Sequence, residues 1–96
     1  MKFASKQLYR AGDRVFAVLQ QPDVALLLTC EAPASWTAMV FDMGKKQAVA
    51  SGNQHPSVAD AQKYVIAQVQ AHYRVAPPET EIRWQQALNR PDILQT

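Results

Sequence analysis

SVADAQKYVIAQVQAHYR, residues Ser57 to Arg74, reads as a single element under every test a sequence offers. Steps of about 100° from Val58 gather Val58, Ala61, Val65, Val69 and His72 into one stripe, edged by Ile66 and Tyr73. Asp60, Lys63, Ala67, Gln70 and Arg74 collect on the opposite side, so the segment is an amphipathic helix. Ser57 is its N-cap, with Asp60 in the first turn where the helix dipole favours an acid. Arg74 closes it, and Pro77-Pro78 just beyond cannot continue it. A lone helix of this length is marginal in water, so it must lie against something. Ala61, the small residue on the stripe, allows a close approach.

The partner is written upstream. Arg14 to Gln20 and Val24 to Glu31 are rich in Val, Leu and Phe, and Gln21-Pro22-Asp23 separates them, which predicts a hairpin. After a loop at Glu31 to Ser35, Trp36, Ala38 and Val40 alternate with Thr37, Met39 and Phe41 up to Asp42. Met43-Gly44-Lys45-Lys46 then turns the chain, with Gly44 free to take positive φ, and Gln47 to Ser51 returns as a short edge strand with Val49 its one large apolar residue. Gly52 to Pro56 is the loop into the helix. The fold class is therefore α+β: a four-stranded antiparallel meander with the amphipathic helix packed across one face.

That arrangement leaves apolar surface over. Val15, Ala17 and Leu19 oppose Phe16 and Val18 in the first strand, and Val24, Leu26 and Leu28 oppose Ala25 and Leu27 in the second. One helix covers half of this. A second, short C-terminal helix over Glu79 to Asn89, capped by Thr80 and ended by Pro91, carries Trp84, Ala87 and Leu88 on one side and is the candidate cover. Phe3 to Arg10 reads as a short helix, capped by Ser5 and ended by Gly12, or as an extended first strand, because Phe3, Leu8 and Tyr9 fit neither period cleanly, and residues 91–96 read as a loose tail.

At 96 residues, 48% hydrophobic and 19% charged, the chain is one globular domain, residues 1–96. Its 10 basic and 8 acidic residues are dispersed, so no strongly charged face is expected. Met1 to Gly12 lacks the apolar core of a signal peptide, and Val24 to Leu28 is far too short to span a bilayer. With a single cysteine, these features point to a cytoplasmic protein without membrane association.

Little in the sequence carries chemistry. Cys30 ends an apolar strand and reads as a small buried hydrophobe, His72 as a half-buried residue of the helix stripe, and His55 as a solvated loop residue. Two histidines and one cysteine without ligand spacing make no zinc site, and three glycines leave scant material for a phosphate loop. No catalytic residue, metal or cofactor is expected. Trp36, Phe41, Tyr64, Tyr73 and Trp84 are candidates to line a pocket between the sheet and the C-terminal helix.

The helix that follows a hairpin, and the serine-led, alanine-containing opening from Ser57 to Val65, resemble double-stranded-RNA-binding domains. The resemblance implies a nucleic-acid partner. Where that family clusters lysines, this chain has Val58, Ala59 and Asp60, with Lys63 basic. The functional expectation is a non-enzymatic protein-interaction module, homodimeric, with Phe16, Val18, Leu27, Trp84 and Leu88 at the interface. The alternative is a nucleic-acid-binding accessory protein that uses Lys6, Arg10, Arg14, Lys45 and Lys46.

Overall fold

The computed structural model describes residues 9–78 and 81–88. Strands β1 (Arg14–Gln20), β2 (Asp23–Ala32), β3 (Ser35–Asp42) and β4 (Gln47–His55) form the expected antiparallel meander, and α1 (Val58–Tyr73) follows. A fifth strand, β5 (Gln85–Ala87), joins the outer side of β1, so the sheet order is β4-β3-β2-β1-β5. The expected fourth strand extends past Ser51 to His55, through residues read from sequence as loop.

Two expectations about the C-terminal segment are corrected. The sheet has five strands rather than four, and in place of a second helix the chain forms β5, preceded by the irregular stretch 82–84. Apolar residues at 82, 84 and 88 recur at even spacing, and alternation along an extended chain gathers them as well as a helical turn does. Pairing with β1 decides between the two: Arg14 lies opposite Ala87 and Phe16 opposite Gln85, which gives these backbone groups a ladder. Thr80, the expected cap, residues 91–96 and most of the Phe3 to Arg10 segment lie outside the described residues.

The helix forms as its sequence dictates. Ser57 is extended and its hydroxyl accepts from the Asp60 amide at 3.1 Å. At the other end Arg74 takes the left-handed conformation, φ 59°, and its amide donates to the Gln70 carbonyl. Ala61, Val65 and Val69 are buried, and the helix lies chiefly over β3, flanked by β4 and β2. His72 is exposed, a correction to its place on the core stripe. It sits in the last turn, where the stripe has run past the buried part of the sheet.

Strand alternation sets the core. Val15 and Ala17 from β1, Val24, Leu26, Leu28 and Cys30 from β2, and Trp36, Ala38 and Val40 from β3 all point to the helix side and are buried. Tyr9 closes one end with its ring edge-on to Trp36, centroids 4.9 Å apart. After the helix the chain returns toward β1, burying Pro77 and Ile82 and packing Trp84 against the core. The turn between β3 and β4 places positive φ at Lys46 rather than at the expected Gly44. Gly12, with φ 95°, lets its amide reach the Cys30 carbonyl at the start of β1.

Candidate interaction surface

Because the helix and the returning segment take one face of the sheet, the residues that alternate with the core belong to the other. Register aligns them into cross-strand rows. Phe16 lies opposite Leu27, which lies opposite Met39, which lies opposite Ser51. The next row runs from Val18 through Ala25 and Phe41 to Ala48. At one end a polar row of Arg14, Thr29 and Thr37 borders the patch, and the Thr37 hydroxyl donates to Oε2 of Glu31 at 3.3 Å.

Within these rows Val18 is 59% exposed, and Phe16, Ala25, Leu27, Met39 and Phe41 are half-buried by one another. No helix or strand among the described residues lies over them. No titratable side chain stands within the two apolar rows, so the surface presents dispersion contact and desolvation rather than charge.

Of the residues read from sequence as interface, Phe16, Val18 and Leu27 share this face. Trp84 is half-buried against the core on the helix side, where alternation also puts Gln86, whose Nε2 donates to the Tyr9 hydroxyl. Leu88 is 37% exposed just past β5. Met39 and Phe41 were missed as surface candidates. The signal for them was the alternation against Trp36, Ala38 and Val40, which assigns a face once the register of β2 and β3 is known.

The chemistry-bearing residues are scattered. The Cys30 thiol is buried and donates to the Ala32 carbonyl at 3.3 Å; burial, then the negative charges of Asp13 and Glu31, push its pKa up and away from thiolate reactivity. His55 is the last residue of β4 rather than a loop residue, and its ring tilts against Tyr64 at a centroid separation of 4.8 Å. Its Nε2 is buried without a hydrogen-bond partner among the described residues. Cys30 and His55 both flank Trp36 in the strand register, which places them two strand spacings apart, about 10 Å. His72 lies at the other end of a 16-residue helix. Among the described residues, no three His, Cys, Asp or Glu side chains are grouped to hold a metal.

The basic residues also fail to converge. Arg10 and Arg14 sit at the start of β1, while Lys45 and Lys46 occupy the β3–β4 turn at the opposite end of the strands, about 20 Å away along a seven-residue strand. Lys6 lies outside the described residues. The aromatic side chains likewise divide, with Trp36 in the core, Phe41 on the open face and Tyr73 bonded to Asp42, so they line no common pocket.

A buried carboxylate forms a polar joint between sheet and helix. Asp42 is 7% exposed; its Oδ2 accepts from the Tyr73 hydroxyl at 2.5 Å and its Oδ1 from the Lys45 amide at 2.8 Å. The Tyr73 bond, and after it the Lys45 amide, hold the Asp42 carboxyl below its ordinary range. Burial and the same carboxylate push the Tyr73 phenol up to about 12. At neutral pH neither group exchanges a proton readily, so the pair is built to hold geometry.

Comparison of the chain with protein-family models, with curated proteins and with solved structures gave no match.

Proposed function

We propose that this protein acts by binding rather than by catalysis, as a cytoplasmic interaction module that pairs with a second copy of itself through the open face of its sheet. The observation that carries the reading is the continuous apolar patch of Phe16, Val18, Ala25, Leu27, Met39 and Phe41. Strands β1 to β4, about 4.8 Å apart and 7 to 10 residues long, give this face a projected area on the order of 500 Å², of which the apolar patch is the central part. The relief of the side chains brings the accessible area toward the ~800 Å² that each partner contributes to a standard interface. A two-fold axis uses one such patch twice, and two sheets stacked about 10 Å apart form the core of a sandwich. Apolar patches of this extent mark association surfaces.

A reducing compartment suits the single buried thiol, and among the described residues no helix is long and apolar enough to cross a membrane. Among the described residues, Arg10 and Arg14 lie at one end of the strands and Lys45 and Lys46 at the other, which disfavours a continuous track for a phosphate backbone.

Light scattering coupled to size exclusion tests the reading. The expected mass is about twice 10.7 kDa for the natural chain. Leu27→Lys, which sets a charge at the centre of the patch, is expected to give a monomer with unchanged circular dichroism. Trp84→Ala, on the helix side, is expected to lose thermal stability and remain dimeric. A monomeric natural chain at high concentration overturns the proposal, as does a dimer unaffected by Leu27→Lys.

A further inference from the structure

A second surface lies along the outer edge of β1. β5 pairs with Arg14, Val15 and Phe16 and no further, so Ala17–Gln20 have no strand beside them on that side among the described residues. The register shows where the ladder stops. Continued upward from Ala87 opposite Arg14, it would set Trp84 opposite Ala17 and Ile82 opposite Leu19. Those residues leave the ladder, with Ile82 buried and Trp84 packed on the core. A cleft of about 350 Å³ opens between the strand edge and the diverging segment, a volume in the range of ligand-binding clefts.

We propose that this edge accepts an extended, uncharged apolar peptide segment of a partner protein, added as a further strand beside Ala17–Gln20. Three observations select that occupant. An open strand edge presents backbone donors and acceptors that another extended backbone satisfies in register. The facing wall contains Pro77 and Pro78, which lack an amide hydrogen and so offer an incoming strand fewer donors than the β1 edge does. Among the described residues the rim carries one cation, Arg83, and one anion, Glu81, a balance that favours a neutral strand over a phosphate backbone or an acidic tail.

The described ends of the chain point elsewhere. Tyr9 sits on Trp36, and Leu88 lies beside Gly12 and Arg14, both at the far end of β1 from the cleft. Alternate residues of the added strand face Leu19 and Ile82, and the residues between them lie beside Val18. The preferred pattern is therefore apolar at every second position.

The test uses the full-length, isotope-labelled protein and a set of blocked pentapeptides with Val, Ile, Leu or Phe at the second and fourth positions and Thr elsewhere. Each has a counterpart N-methylated at alternate backbone amides, which keeps the side chains and removes the ladder. Expected are amide shifts at Ala17, Val18, Leu19, Gln20 and Ile82 that saturate at about millimolar peptide. N-methylation is expected to weaken binding about tenfold or more, and added salt to change it little. The proposal falls if no peptide moves these amides, if the N-methylated forms bind equally well, if binding collapses with salt, or if the shifts centre on Leu27 and Met39. Solution mass measured on the same samples keeps this site distinct from the proposed dimer face: shifts along the β1 edge with unchanged mass support strand addition whichever oligomer is present.

Discussion

The Tyr73 hydroxyl donates a 2.5 Å hydrogen bond to Oδ2 of Asp42, which ties the last turn of α1 to the end of β3. The other carboxylate oxygen holds the following turn through the Lys45 amide, and the Lys46 amide donates to the Asp42 carbonyl at 2.7 Å. One side chain thus fixes both the helix end and the hairpin.

The alkaline limb of stability reads this bond from the phenol. In the folded state Tyr73 is raised from 10.0 to about 12 by burial and by Asp42. Its contribution is fully present below the unfolded value and is lost as pH rises through the folded one. Thermal midpoints should hold through mildly alkaline pH and fall across the interval from 10.0 to about 12. Tyrosinate absorbance should show a late step that Tyr73→Phe abolishes. A late step that survives this substitution would assign it to another tyrosine.

The acid limb reads the same bond from the carboxylate. Asp42 is held below its ordinary 3.8, first by Tyr73 and then by the Lys45 amide, so its contribution is present above that value and lost as pH falls through the lower folded one. Asp42→Asn keeps the shape and removes the titration. Its denaturation midpoint should be lower than that of the natural chain at neutral pH, with the two curves converging in acid. Parallel curves down to the lowest pH would refute the assignment.

How far the sequence reaches is visible at particular residues. Helix period, the Ser57 cap and the Pro77-Pro78 stop are local signals, and α1 appears within a residue of its expected limits. The alternation of Leu26 and Leu27 is local too, and it separates core from open face. Asp42 and Tyr73, 31 residues apart, meet through packing that no local pattern encodes. β5 escaped for a related reason: Gln85, Gln86 and Ala87 have little strand propensity, and their state is set by the edge of β1 alongside them. The open face was legible as a surplus of apolar residues, whereas its membership needed the register of β2 with β3.

Gly52 is held by its surroundings. A Cβ there would stand 3.0 Å from Cζ of Tyr64 and 3.2 Å from Nε2 of His55, inside the two rings that pack across the β4–α1 junction. Gly52→Ala should cost about 1–3 kcal/mol by overpacking. Part of that loss should return in the double variant with Tyr64→Leu, measured as a coupling energy in a denaturant cycle. Strict additivity would mean that the Tyr64 ring does not set the constraint.

Leu26 and Leu27 are neighbours in β2 with opposite fates. Leu26 is fully buried beneath the helix, and Leu26→Ala should destabilise the fold by about 2–5 kcal/mol through lost transfer energy and an unfilled cavity. Leu27 lies half-exposed between Phe16 and Met39, so Leu27→Ala leaves no enclosed void and should cost the monomer far less. On the proposed dimer face the same truncation should weaken association about tenfold. Denaturation at two protein concentrations separates the effects: the Leu26 variant should lose stability by the same amount at both. The Leu27 variant should lose most of the concentration dependence seen in the natural chain. Equal losses of monomer stability would place Leu27 in a core, and the open face would then have a cover within its own chain.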